Sequence, residues 1–194
     1  MKEQPLRIKW KILATLTVAA TVIAPLSTDA SASISLKALE GDLLSPAKVR
    51  PLGFTKVLEK ARTSSATGQK SCPEGAEQVF EDESGQTGLA SEVLACTNIQ
   101  AARGLLIRLR SQGSAVSVVL PKRLGPSAIE RNIGRSTFAI YWQRGKIVEV
   151  VAMTTNLVAA TSSSTSTSAV SSPLTSVEQR NLSAAALQQN GLLR

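Results

Sequence analysis

The chain contains no histidine. That absence excludes Ser-His-Asp and Cys-His nucleophilic catalysis and any His-ligated metal. It also removes the side chain that titrates unaided near neutral pH, and with it most hydrolases built on such a base. Cysteine is nearly as scarce: Cys72 and Cys96 are the only two, too few for a structural zinc site. Aromatic residues make up 3% of the 194, which leaves little to stack on nucleobases.

What is present begins with a basic, then apolar, amino-terminal stretch. Lys2, Arg7, Lys9 and Lys11 precede an apolar run from Ile12 to Leu26, and Ala30-Ser31-Ala32 follows. This is the layout of an export signal with a small-residue cleavage site. The run is shorter than the about 20 residues of a typical membrane span. Residues 1–32 are therefore expected to be a signal peptide, with a retained membrane anchor as the alternative. No cysteine follows the run and no Arg-Arg pair precedes it, which points to the general export route without a lipid anchor. Without residues 1–32 the chain keeps 18 basic and 12 acidic residues. About 160 residues then remain, enough for one ordinary core. Export with an even cysteine count predicts one disulfide, Cys72–Cys96.

Residues 33–44 read as a short leader into the domain. Ser45 and Pro46 have the spelling of a helix cap followed by proline at the first helical position. Pro51 and Gly53 interrupt that helix, and a second is expected from Thr55 to Ala61. Val79-Phe80 and Leu89–Thr97 read as strands. Asn98 caps a helix from Ile99 to Ser111, with Gly113 as its stop. At 100° per residue, Ile99, Ala102, Leu105, Leu106 and Leu109 fall within an arc of roughly 120° facing inward. Arg103, Arg108 and Arg110 fall outside it. Ser114–Leu120 reads as a strand stopped by Pro121. Ser127 and Glu130 have capping-box spacing, which predicts a short helical turn. Residues 161–173 are a Ser/Thr-rich low-complexity loop. Residues 174–194 carry a helix from Val177 to Gln189, with Ser176 and Gln179 as its capping pair.

The strongest local pattern is "FAIYWQRGKIVEVVAM", Phe138–Met153. With Arg144-Gly145 as a two-residue hairpin loop, Phe138, Ile140 and Trp142 share a face with Ile147, Glu149 and Val151. Tyr141, Ala139 and Thr137 share the other with Val148, Val150 and Ala152. Both faces are apolar apart from Glu149 and Thr137, so the hairpin reads as core covered on both sides. The alternative places Trp142 and Glu149 along a cleft beside the sheet.

Three spelled motifs have bland explanations. Ser45-Pro46-Ala47-Lys48 fits S-x-x-K but lacks the S-D-N and K-T-G companions of penicillin-recognising enzymes. Asn181-Leu182-Ser183 spells a sequon inside a predicted helix. Glu81-Asp82-Glu83 lacks calcium-loop spacing and reads as a solvated turn. No catalytic, cofactor-binding or metal residue is assigned, and no cofactor is expected.

Charge is segregated along the chain. Residues 71–102 hold six acidic groups and no basic one. Residues 103–146 hold nine basic groups against Glu130 alone: Arg103, Arg108, Arg110, Lys122, Arg123, Arg131, Arg135, Arg144 and Lys146. On one shared face they would attract anionic polymers or lipid headgroups; across adjacent elements, the two blocks would neutralise each other.

The order of elements resembles that of small secreted proteins and lipoproteins of actinobacteria. Some of these are similar to sensor-like extracellular domains or to PsbP/Mog1-like α/β/α sandwiches. The likeness rests on Leu43–Ala47, the two cysteines at strand ends, Leu124–Ala128, the Trp142–Val148 hairpin and the closing Ala/Leu/Gln helix. It covers residues 40–190 and departs from the lipoproteins in lacking their acylated cysteine. It implies an envelope location and a binding role, and it transfers no active site.

The expectation is an α+β domain over residues 33–160, with a mostly antiparallel sheet, packed helices and one disulfide. The expected function is an exported, non-catalytic binding module of the cell envelope, taking an unknown envelope protein or an anionic polymer or lipid headgroup. No nucleic-acid partner is expected, and residues 12–26 would contact the membrane if uncleaved. Arg103, Arg108, Arg110, Lys122, Arg123, Arg135, Trp142, Arg144 and Lys146 form the candidate partner face. The alternatives are a single-pass membrane protein with an external sensor-like domain, and an enzyme working through a carboxylate such as Glu149. The enzyme reading requires a pocket around Glu149.

Overall fold

The computed structural model describes residues 36–64, 71–134, 136–155 and 174–191, apart from the side chains of 36 and 59–64. Seven strands form one antiparallel sheet in the order β1-β2-β3-β7-β6-β5-β4. They are β1 Phe54–Ser64, β2 Glu74–Asp82, β3 Gly88–Ala95, β4 Ser114–Ala115, β5 Ile129–Asn132, β6 Thr137–Arg144 and β7 Ile147–Thr154. The helices are α1 Leu36–Asp42, α2 Pro46–Val49, α3 Ile99–Arg110 and α4 Ser176–Gln189. Strands β1 to β3 meander outward to inward. The chain then crosses through α3 to the far edge and returns through β4 to β7, so that β7 closes against β3.

Period-two alternation assigns the side chains to two faces. The first carries Phe80, Leu89, Phe138, Ile140, Trp142, Val151 and Met153, packed with Leu44, Val49, Leu182, Ala185 and Ala186 from α1–α2 and α4. A smaller cluster continues it, where Leu39 and Leu43 meet Ala76, Val93 and Ala95. The second carries Val79, Ala90, Leu94, Ala139, Tyr141, Val148, Val150 and Ala152 under Ala102, Leu105, Leu106 and Leu109 of α3. Cover on both faces explains the doubly apolar hairpin. All eight residues of β3 are buried.

The disulfide joins Cys72, just before β2, to Cys96, just after β3, and no described cysteine is free. Asn98 caps α3 as expected, its Oδ1 accepting from the Ala101 amide at 2.8 Å. Gly113 ends that helical segment at φ 58°, where an added Cβ would collide with the Asn132 carbonyl. No helix among the described residues is long and apolar enough to cross a membrane. The expected signal segment 1–32 and loop 161–173 lie outside those residues.

Several local expectations are corrected. Thr55–Ala61 is part of strand β1, not a helix. Its Lys, Leu, Glu and Ala residues favour helix, but propensity is a small term that pairing with β2, bulged twice near its start, overrides. Residues 33–44 are no mere leader, since they contain α1. The Ser114–Leu120 strand shrinks to two residues. The chain must pass from the α3 side over the sheet edge, and Val116 and Leu120 turn into the first-face core.

A turn does form at Pro126-Ser127, but its expected helical continuation gives way to strand β5. Glu130 is buried there and accepts from Gln179 Nε2 of α4 at 2.8 Å, while Ser127 Oγ accepts from the Gln143 amide. The α4 capping box lies one residue earlier, on Thr175 and Glu178. Ser45 makes no side-chain cap, although Pro46 does open α2. The hairpin loop is Gly145-Lys146, with Arg144 opposite Ile147. This slides the register by two residues, which preserves the faces and sets Trp142 directly opposite Glu149.

Candidate functional site

The hairpin end concentrates charge. The β6–β7 register puts Arg144 two residues beyond Trp142 on the first face, diagonal to Glu149. Arg144 Nε donates to Glu149 Oε1 at 2.9 Å, and its Nη2 donates to Asp42 Oδ2 at the end of α1 at 2.7 Å. The Arg144 side chain is 49% exposed and that of Asp42 35%, while Glu149 is at 0%. One guanidinium thus ties a surface helix to a carboxylate in the core.

Burial pushes the Glu149 carboxyl up to about 7, against the lowering pull of Arg144. Its Oε2 and the neighbouring Trp142 Nε1 accept and donate no hydrogen bond among the described residues. Trp142 is 1% exposed. Both side chains are core, so the cleft alternative does not describe their placement. Beside them, Ser91 Oγ receives the Leu44 amide at 3.0 Å and donates to Gln189 Oε1 at 2.7 Å. Gln189 Nε2 donates in turn to the Glu92 carbonyl at 3.0 Å. This polar thread pins the α1–α2 connection, α4 and the sheet together.

The second face holds another unusual carboxylate. Glu92 sits directly opposite Glu77 across β2 and β3. Burial, and then the charge of Glu77, push the Glu92 carboxyl up to about 8. Tyr141 is 1% exposed on the same face. Burial and the Glu92 charge push its phenol up, with Arg131 opposing. Arg131 itself staples the end of α3, donating to the Gln112 and Gly113 carbonyls at 2.8 and 3.0 Å.

The candidate partner-face residues are dispersed. Arg103, Arg108 and Arg110 are exposed on α3, which covers the second face. Lys122 and Arg123 are exposed on a 3-10 turn whose Leu124 packs in the first-face core. Arg144 is committed to two carboxylates, and Arg135 lies outside the described residues. Lys146 lines a shallow depression of about 430 Å³ with Thr97, Asn98, Ile99 and Gln100 at the start of α3. The acidic turn serves the β2–β3 connection: Asp82 accepts from Ser84, Gln86 and Thr87. Burial raises its carboxyl, but these hydrogen bonds outweigh that and hold it below the usual range.

Sequence reasoning missed Asp42, Ser91, Glu92 and Gln189. Glu92 had a signal, as the lone charge in the apolar strand Gly88–Ala95. Asp42 had none, because its partner lies 102 residues away.

These features describe a disulfide-braced α+β sandwich whose ionisable core groups are sealed. No family model matches the chain, and no curated protein matches it. Among solved structures, the extracellular domain of PknH from Mycobacterium tuberculosis is similar, with a TM-score of 0.46 and 8% identity. The alignment covers 83% of this chain and 99% of that one.

Proposed function

We propose that this protein is an exported, non-catalytic binding module of the cell envelope that engages a protein or an anionic envelope component through the exposed cations of α3. The observation that carries this reading is the contrast between the sealed carboxylates Glu92, Glu130 and Glu149 and the exposed bases of α3. Glu149, the strongest carboxylate candidate for catalysis, is fully enclosed, and Glu92 is 8% exposed. A substrate would have no approach to Glu149 without displacing core. By contrast Arg103, Arg108, Arg110, Lys122 and Arg123 all lie at the surface. The disulfide supports an oxidising compartment, and the amino-terminal signal pattern supports export. Retention of residues 12–26 as an anchor would leave the same domain outside the membrane.

Cross-linking of the tagged full-length protein in its native cells tests the reading, with mass spectrometry of what is captured. The expected result is a reproducible envelope component whose capture falls when Arg103 and Arg110 are replaced by Gln. Capture that ignores these two cations would refute the α3 surface. Turnover abolished by Glu149→Gln in the folded protein would refute the non-catalytic reading.

A further inference from the structure

The buried stripe of α3 has an exposed counterpart. Ile99 is 50% exposed and Ile107 is 65% exposed, although both are large apolar side chains. Arg103 and Arg110 are exposed between and beyond them. At 100° per residue the four fall within an arc of roughly 80° that flanks the buried Leu105, Leu106 and Leu109 side, its centre about 110° away; Ile99, expected to face inward, lies at the margin of that side and is exposed. One exposed flank of a 12-residue helix therefore interleaves isoleucine with arginine. From residue 93 to residue 129 the chain has five basic groups and no acidic one.

We propose that this face of α3 docks on an anionic lipid bilayer, with Ile99 and Ile107 entering the interface and Arg103 and Arg110 meeting lipid phosphates. The inference deepens the binding reading above and rests on it. Three features favour a bilayer over a folded partner. Two isoleucines are far too little apolar surface to centre a stable protein interface, whereas at a bilayer surface a small inserted apolar area adds to electrostatic attraction to anionic lipid. The long arginine stems can lie along the acyl boundary while their heads stay among phosphates. The acid-free segment matches a surface of uniform negative charge, toward which each basic group adds about 1 kcal/mol.

The test uses the full chain with its Cys72–Cys96 bond intact and one added, fluorophore-labelled thiol. Ile107→Cys reports on the proposed face. Val177→Cys, exposed on α4 on the other side of the sheet, is the control. Vesicles contain phosphatidylglycerol or phosphatidylcholine alone. The expected result is a blue shift and quenching by bilayer-borne quenchers at position 107 with phosphatidylglycerol only, and none at 177. Arg103→Gln with Arg110→Gln is expected to lower the ratio of docked to undocked label on the order of 30-fold. Because that ratio is internal to each sample, a retained amino-terminal anchor does not mask it.

Equal signals at 107 and 177, or equal signals on the two lipids, would overturn the proposal. A silent label at 107 alongside a cross-linked envelope protein in cells would overturn the bilayer and leave the broader binding reading standing. A silent label without any cellular capture would remove both.

Discussion

Replacing Glu92 by Gln should raise stability at alkaline pH and leave it nearly unchanged in acid. Glu92 is 8% exposed, and burial together with the opposing Glu77 lifts its carboxyl from 4.5 to about 8. A carboxyl with a raised native pKa binds its proton more tightly in the folded than in the unfolded state. Stability is therefore greatest below the unfolded value of 4.5 and falls as pH rises from there to about 8, beyond which the loss is complete. Each pH unit in that window costs up to 2.303RT, so the whole span of 4.5 to about 8 costs at most about 5 kcal/mol.

The amide of Gln keeps the shape of the protonated carboxyl and does not titrate. Thermal unfolding of the oxidised protein between pH 4.5 and 9, followed by circular dichroism and calorimetry, measures the difference. At 2–4 °C per kcal/mol for a chain of this size, the variant's Tm should exceed the native one on the order of 10 °C at pH 8.5 and should match it near pH 4.5. Glu77→Gln should give a smaller gain in the same direction, because it removes only the second cause. Parallel Tm–pH curves for Glu92→Gln and the native chain would refute the reasoning: the carboxyl would then reach water or a counter-charge in the folded state.

Arg144→Ala leaves Glu149 buried without its cation and should cost about 3–5 kcal/mol at pH 8 by urea denaturation; adding Glu149→Gln should recover most of that loss. The same single variant should cost less at pH 5, where Glu149, with its carboxyl near 7, is neutral. Leu105→Ala empties a site at 1% exposure between α3 and the sheet and should cost about 3 kcal/mol by the same assay. Replacing both Cys72 and Cys96 by Ser opens a loop closed across 24 residues of separation and should cost roughly 3 kcal/mol, read as a lower denaturation midpoint.

The elements legible in the sequence were those with strong local causes. Asn98 capping a Leu stripe announced α3, the apolar hairpin announced β6 and β7, and an even pair of cysteines with no other thiol announced the bridge. The elements misread were those decided at long range. Thr55–Ala61 has the composition of a mediocre helix and becomes a strand because β2 lies beside it. Ser114–Leu120 has the composition of a strand and leaves the sheet because the chain must change sides there. The candidate site was half legible for the same reason. Glu149 and Arg144 are five residues apart and belong to one hairpin, but Asp42 reaches Arg144 only through the docking of α1.

The helix α4 shows how this fold replaces apolar area with directional bonds. Its buried side is Leu182, Ala185 and Ala186, and alanine contributes little transfer energy on burial. Such a face fits many registers about equally well. The amides break that degeneracy: Gln179 reaches Glu130, Asn181 reaches the Leu52 carbonyl, and Gln189 binds both Ser91 and the Glu92 carbonyl. Sliding α4 by one turn would strand buried donors and acceptors at about 1–3 kcal/mol each, more than the alanine contacts would regain. The amides therefore fix where the helix sits on the first face, the face that also holds the enclosed Glu149, while the cations of α3 lie on the opposite side of the sheet.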